Sequence, residues 1–193
     1  MRGSTVIRHM MRATALDPDF YNHAEASPQL TGQAFFVVVV ANTFASIGTW
    51  IGLEFSIGDE ITRVFNRWVS MGSWPVAEQG GFIGVVVVGV LAATAGWVVW
   101  AAVTTFVGTK VFHGTTSMGE MLRVLGFAQS PRVIGIIPLL GPVGSVWALV
   151  ASVIAIREGQ EFNTPRAIAT AIVGWSAWFG AVWLASLLGV AIF

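Results

Sequence analysis

Three histidines, His9, His23 and His113, are the first residues to test for chemistry, because imidazole titrates near neutrality and is the commonest biological metal ligand. None stands at i, i+4 from another, and no carboxylate cluster accompanies them. His113, in Phe112-His113-Gly114, reads as an interfacial histidine; its sharper reading is a ligand to a haem or chlorophyll-type metal centre. There is no cysteine, which excludes disulfides, thiolate catalysis and Cys-ligated metals. No Ser-His-Asp arrangement, Walker loop or HExxH is present, and the glycines do not follow a strand pattern. No catalytic residue, cofactor or metal is therefore assigned, and the chain is read as not an enzyme.

The remaining polar handles are Asn42, Arg132 and a segment broken by Pro138 and Pro142. Their meaning depends on where they sit. The runs 31–53, 82–108, 133–156 and 167–193 contain no charged residue, and the chain as a whole is 55% hydrophobic and 10% charged. Soluble domains carry about 25% charged residues, and a charge-free apolar run of 18 residues or more is a transmembrane candidate. Backbone groups in lipid must be paired within the segment, so these runs are predicted to be helices. Polar groups at such depth are functional suspects. Asn42 lies in the middle of the first run, where its amide fits a helix-packing role or a substrate contact. The runs hold no ionisable residue, which argues against a proton- or ion-coupled pump.

The elements that must position these residues form an all-α, polytopic transmembrane bundle. Residues 1–30 form a cytoplasmic segment with a basic amphipathic surface helix: Val6, Ile7, Met10 and Met11 recur at helical spacing beside Arg8 and Arg12. No cleavable signal peptide is expected, since the first apolar run follows a mixed-charge stretch and is too long for a signal segment. The transmembrane domain covers 31–193. Between its first two runs, at about 57–70, Ile57, Ile61, Phe65 and Trp68 share a helix face opposite Asp59, Glu60, Arg63 and Arg67. That predicts a second interfacial helix and a possible-partner face. Gly48 and Gly52 form a GxxxG pair, and Ala177, Ala181, Ala185 and Gly189 recur every four residues. Both patterns allow close helix approach. Thr164 is predicted to cap the last span, with Pro165 at its first position.

Pro138 and Pro142 leave two readings of the third run, because a proline inside a helix removes a donor and clashes with the preceding turn. One is a single kinked span, giving four in all. The other is two spans joined by a tight turn, giving five, at about 31–53, 82–108, 117–140, 143–157 and 166–192. Positive residues favour the cytoplasmic side. Four spans place six basic residues on the N-terminal side and four opposite. Five place seven there (Arg2, Arg8, Arg12, Lys110, Arg123, Arg157 and Arg166) and two, Arg63 and Arg67, opposite. Five spans are preferred, with the C-terminus across the membrane. Arg132 then sits at membrane depth and must snorkel or pair, and the fourth span is short, about 21 Å for 143–156 at the α-helical rise.

The chain resembles the Yip family of Ypt/Rab-interacting membrane proteins in its bacterial form. The resemblance is carried by Leu16-Asp17-Pro18-Asp19-Phe20-Tyr21 with Thr31-Gly32-Gln33-Ala34, by Thr109-Lys110-Val111-Phe112 with Gly114-Thr115-Thr116, and by Ile154-Ala155-Ile156-Arg157 with Thr164-Pro165-Arg166-Ala167-Ile168. Its most specific part is the run from Met121 to Pro131, Met-Leu-Arg-Val-Leu-Gly-Phe-Ala-Gln-Ser-Pro. The resemblance implies a five-span bundle with a cytoplasmic N-terminus in a bacterial cytoplasmic membrane. Eukaryotic relatives act in vesicle traffic and bind prenylated GTPases, but their Asp-Leu-Tyr-Gly-Pro motif has no counterpart here, so that partner is not carried over.

Small-residue stripes, nine tryptophans and the lack of intramembrane acid–base groups point to a protein that works by contact. The expected partners are membrane lipids and other integral membrane proteins, with the chain as a scaffold or accessory subunit; zero net charge offers nothing to nucleic acid. The alternative is a small transporter or channel for a neutral solute, with Asn42, Arg132 and the Pro138–Pro142 segment as its site, since broken helices often line such sites.

Overall fold

A computed structural model describes residues 2–55, 57 and 81–187, with side chains described over 5–55, 57 and 81–177. All regular structure among them is helical, as the charge-free runs require. Helix α1 covers Arg2–Thr14, α2 Pro18–Glu25 and α3 Thr31–Glu54. Helix α4 runs over Gly81–Lys110 and widens to a π-turn at Gly84–Val88. Helix α5 is Met118–Phe127, α6 Gly141–Gly159 and α7 Thr164–Leu187. The predicted interfacial helix at 57–70, with Ile61, Phe65 and Trp68, lies outside the described residues, as does Gly189. Ile57 is described and is more than one-third exposed.

Local chemistry sets the helix ends. Asp17 starts α2: its carboxylate accepts from the backbone N–H groups of Asp19 and Phe20, and Pro18 follows where a missing N–H costs nothing. Ser117 and Glu120 open α5 with a reciprocal capping box, in which Glu120 accepts from the Ser117 N–H at 2.6 Å. The start of α7 differs from expectation. Asn163 supplies the cap, its Oδ1 accepting from the Arg166 N–H at 3.2 Å, and Thr164 is already helical.

Among the described residues the prolines open helical segments and kink none. After α5 the chain winds as a 3-10 helix over Ser130–Ile136. Pro138 begins a second 3-10 turn, Pro138–Leu140, and Pro142 lies in the first turn of α6. Contacts along α3 give the direction of this stretch. A methyl added to Gly126 would lie 2.9 Å from the Ala34 Cβ, one on Gly135 3.2 Å from the Ala45 Cα, and one on Gly52 3.3 Å from the Pro138 Cβ. The segment from Gly126 to Pro138 thus runs beside α3 and in the same direction from Ala34 to Gly52, about 27 Å at the α-helical rise. Helix α6 comes back the other way, with Gly144 against Pro131 and Gly159 against Val124. Helix α4 is also antiparallel to α3: Phe82 meets Trp50 edge-on at 5.1 Å, and Trp97 lies 6.3 Å from Phe35.

Three helical stretches, Pro28–Glu54, Gly81–Lys110 and Pro138–Gly159, are long and apolar enough to cross a membrane. Large apolar side chains such as Phe35, Phe36, Leu91, Phe106 and Val146 point outward from them, and Ile172 does so from α7. So broad an apolar exterior is the surface of a protein dissolved in lipid. The core lies toward the end where α3 begins and α6 finishes. There Phe20 and Tyr21 of α2, Met121, Leu125 and Phe127 of α5, and Ile156 of α6 are fully buried.

Candidate functional site

Two regions gather the chemistry-bearing residues. The first is the interface between α3 and the 3-10 stretch. Asn42 is buried, and its Nδ2 donates to the Val38 carbonyl at 2.8 Å, one turn back on its own helix. Its Oδ1 has no hydrogen-bond partner. Asn42 shares a face with Ala34, Val38 and Ala45 and falls between the Ala34–Gly126 and Ala45–Gly135 contacts. Arg132 falls in the facing stretch. Its Nη1 donates to the Gln129 Oε1 at 3.3 Å, while its Nε is buried without a partner. Further along, the backbones touch: a methyl on Gly48 would overlap the carbonyl oxygen of Gly135. Pro138 closes on Gly52, and Pro142 sits one turn beyond. The structure therefore brings Gly48, Gly52 and Pro138 to one interface with Asn42 on its α3 side, while Arg132, in the same 3-10 stretch, has its Cα against Gly144 of α6. That interface offers hydrogen bonds to a neutral polar group and, among the described residues, holds no carboxylate or imidazole for proton transfer.

The second region is a clasp between the N-terminal hairpin and α5. Arg123 is buried; its Nε donates to the Ala24 carbonyl at 3.0 Å and its Nη2 to the Glu25 carbonyl. These are the last carbonyls of α2, which have no partner inside their own helix. The Tyr21 hydroxyl donates to the Ala13 carbonyl at 3.1 Å and ties α2 to α1, and burial pushes that phenol's pKa up. Arg12 bonds the Asp17 carboxylate at 2.6 Å, which holds that carboxyl below its usual range, and its guanidinium lies over the Phe20 ring. His9 lies against Phe20 and Phe127 and meets the Gln33 Oε1 at 3.0 Å. Glu25 has its pKa pushed up to about 7, first by burial and then by the nearby Glu120, Glu161 and Glu158, against the pull of Arg123.

The other predicted residues stand apart. His113 is exposed in the turn after α4, with φ of 60°. Among the described residues no group of three His, Asp or Glu could hold a metal ion. Ala177 is half-buried on α7. Ala181 and Ala185 lie on the same helix, but their side chains fall outside those described. The described close approach of α7 to α4 is made by Gly174, where a methyl would lie 2.5 Å from the Trp100 Cδ1.

Sequence reasoning missed several long-range ties. Gln160 is buried between Gly108 and Gly114, and its Nε2 donates to the Thr104 carbonyl at 2.8 Å. The Trp97 indole donates to the Leu122 carbonyl, and Trp147 to Thr14. No spacing in the chain announces these. Arg123 did carry a signal, since it sits inside the most specific run of the resemblance.

Long apolar helices, an apolar exterior and a polar clasp at one end define a polytopic helical membrane protein. The family model of the Yip1 domain matches residues 13–186, from the end of α1 to the end of α7, and the chain belongs to that family. No curated protein and no solved structure matches it.

Proposed function

We propose that this chain is a non-enzymatic membrane protein that acts through contact, as a scaffold or accessory subunit of a larger membrane assembly or as a membrane organiser. The carrying observation is the closure of the α3 interface. The broken segment, where a solute site would be sought, lies backbone to backbone on α3 at Gly48 and Gly135, and Asn42 directs its amide to its own helix. Such an interface holds helices together and leaves the apolar exterior free to meet lipid and other membrane proteins. The bundle has five spans, the fourth a return through α6. The N-terminus is cytoplasmic and the C-terminus opposite, in a bacterial cytoplasmic membrane as the resemblance implies. Support comes from the seven-to-two basic count and from the path of about 27 Å beside α3, close to the thickness of a bilayer core at about 30 Å.

A second reading has one specific observation in its favour. The Asn42 Oδ1 on α3 and the Arg132 Nε on the 3-10 stretch packed beside it are both buried and unpartnered, which suits a small neutral solute. The two readings separate on purification in mild detergent. A contact protein brings stoichiometric membrane companions and moves nothing when reconstituted alone. A lone monomer that carries a neutral solute across liposomes would overturn the first reading and establish the second.

A further inference from the structure

Helix α1 has two apolar faces, and the bundle uses only one of them. His9 and Ala13 are buried, and Val6 and Met10 pack against the core. One-third of a turn away, Ile7 and Met11 are 60% and 67% exposed, with Arg8 exposed beside them. The helix cannot turn to hide that face. Its inner side is pinned by His9 on Gln33, and its last residue by the Trp147 indole donating to the Thr14 carbonyl at 2.8 Å. Trp147 itself belongs to the outward apolar surface of α6, with Val143, Val146 and Val150. The end of α1 therefore abuts the surface that meets lipid.

Charge identifies what covers the face. The first sixteen residues contain Arg2, Arg8 and Arg12 and no acid. Arg12 is already engaged by Asp17 and Phe20. Arg8 has no ion pair among the described residues. We infer that the outer face of α1 docks into an anionic lipid leaflet, with Ile7 and Met11 in the acyl boundary and Arg8 on a headgroup phosphate. The helix is then a wedge between bundle and leaflet. Leaflet charge sets how firmly it is held, through Arg8 and not through Arg12. This inference rests on the membrane character of the chain and is independent of the choice between contact protein and transporter.

The chain has no cysteine, so M11C provides a single site for an environment-sensitive fluorophore on the full-length protein. The labelled protein is placed in nanodiscs of phosphatidylcholine alone or mixed with phosphatidylglycerol, with and without doxyl-labelled lipid. The expected result is blue-shifted emission, quenched by doxyl lipid, and stronger in the anionic discs. R8Q should lower the ratio of lipid-inserted to free helix in anionic discs about fivefold, the loss that one basic residue near such a surface gives, and R8K should restore it. Thermal unfolding of R8Q should match the parent, separating lost docking from lost fold. Water-like emission in both lipids would overturn the inference. So would equal insertion in neutral and anionic discs. A blue shift without doxyl quenching would assign the face to protein and overturn it as well.

Discussion

The Nε of Arg123, on α5, donates to the carbonyl oxygen of Ala24, on α2, at 3.0 Å, and the same guanidinium reaches the Glu25 carbonyl. A buried cation usually needs an anion. Four glutamates stand nearby, yet among the described residues Arg123 forms no ion pair. Its compensation is the C-terminal end of α2, where the last two carbonyls, Ala24 and Glu25, and the negative end of the helix dipole converge. That side chain thereby joins the His9–Gln33 and Trp147–Thr14 bonds in fixing the N-terminal hairpin to the transmembrane bundle.

Removing that side chain should loosen the hairpin. Arg123→Ala is expected to lower stability by about 3 kcal/mol, the upper range for hydrogen bonds to a charged group. Arg123→Lys should recover only part, because an ammonium lacks the planar fork that reaches two carbonyls. Unfolding in detergent, together with the rate of proteolysis within residues 1–30, reads both effects. An Arg123→Ala protein as stable and protease-resistant as the parent would show the clasp to be idle.

The clasp should also respond to pH through Glu25. Its pKa rises from 4.5 unfolded to about 7 folded, so the folded state holds the proton more tightly. Stability is then highest below the unfolded value, falls as pH rises through the interval, and reaches its lower plateau above about 7. Glu25→Gln should flatten the midpoint of thermal unfolding between pH 5 and pH 8 and raise it at pH 8. A profile unchanged by the substitution would remove Glu25 as the cause.

Glycines on α3 should differ sharply by position. A methyl at Gly48 overlaps the Gly135 carbonyl, and neither backbone can step aside without opening the interface. Gly48→Ala is expected to cost about 1–3 kcal/mol, the usual range for overpacking. A methyl at Gly32 meets nothing within 4 Å. Gly32→Ala should be neutral or stabilise by up to about 1 kcal/mol through helix propensity. Equal melting temperatures for the two variants would contradict the close approach.

Much of this arrangement was legible in the chain, and for identifiable reasons. Charge-free runs announce apolar helices because lipid forbids unpaired backbone groups. Pro138 and Pro142 announce a break because proline has no N–H to give. Gly48 marks a packing face because small residues let backbones meet. Faces were harder. In α1 the residues Val6, Ile7, Met10 and Met11 are all apolar, so periodicity could not say that Val6 and Met10 turn inward while Ile7 and Met11 turn out. At the start of α7 two residues with capping side chains are adjacent, and Asn163 reached the free N–H in place of Thr164. The bond from Trp147 to Thr14 joins residues 133 apart in sequence and leaves no local trace.

The span count follows from where three short segments emerge. Thr115 precedes α5, Leu140 precedes α6, and Asn163 precedes α7; all three are exposed. In the five-span arrangement the chain crosses once between Thr115 and Leu140 and once more between Leu140 and Asn163. Thr115 and Asn163 then share a side, and Leu140 faces the other. In the four-span arrangement 133–156 is one crossing, and Thr115 and Asn163 fall on opposite sides. The antiparallel return of α6 along 124–134, seen at Gly159 on Val124 and Gly144 on Pro131, favours the first. A cysteine-free parent makes the measurement direct. Thr115→Cys and Asn163→Cys should both react with an impermeant maleimide added from the cytoplasmic side of inverted vesicles, and Leu140→Cys only from the opposite side. Labelling of Thr115→Cys and Asn163→Cys from different sides would restore the single kinked span.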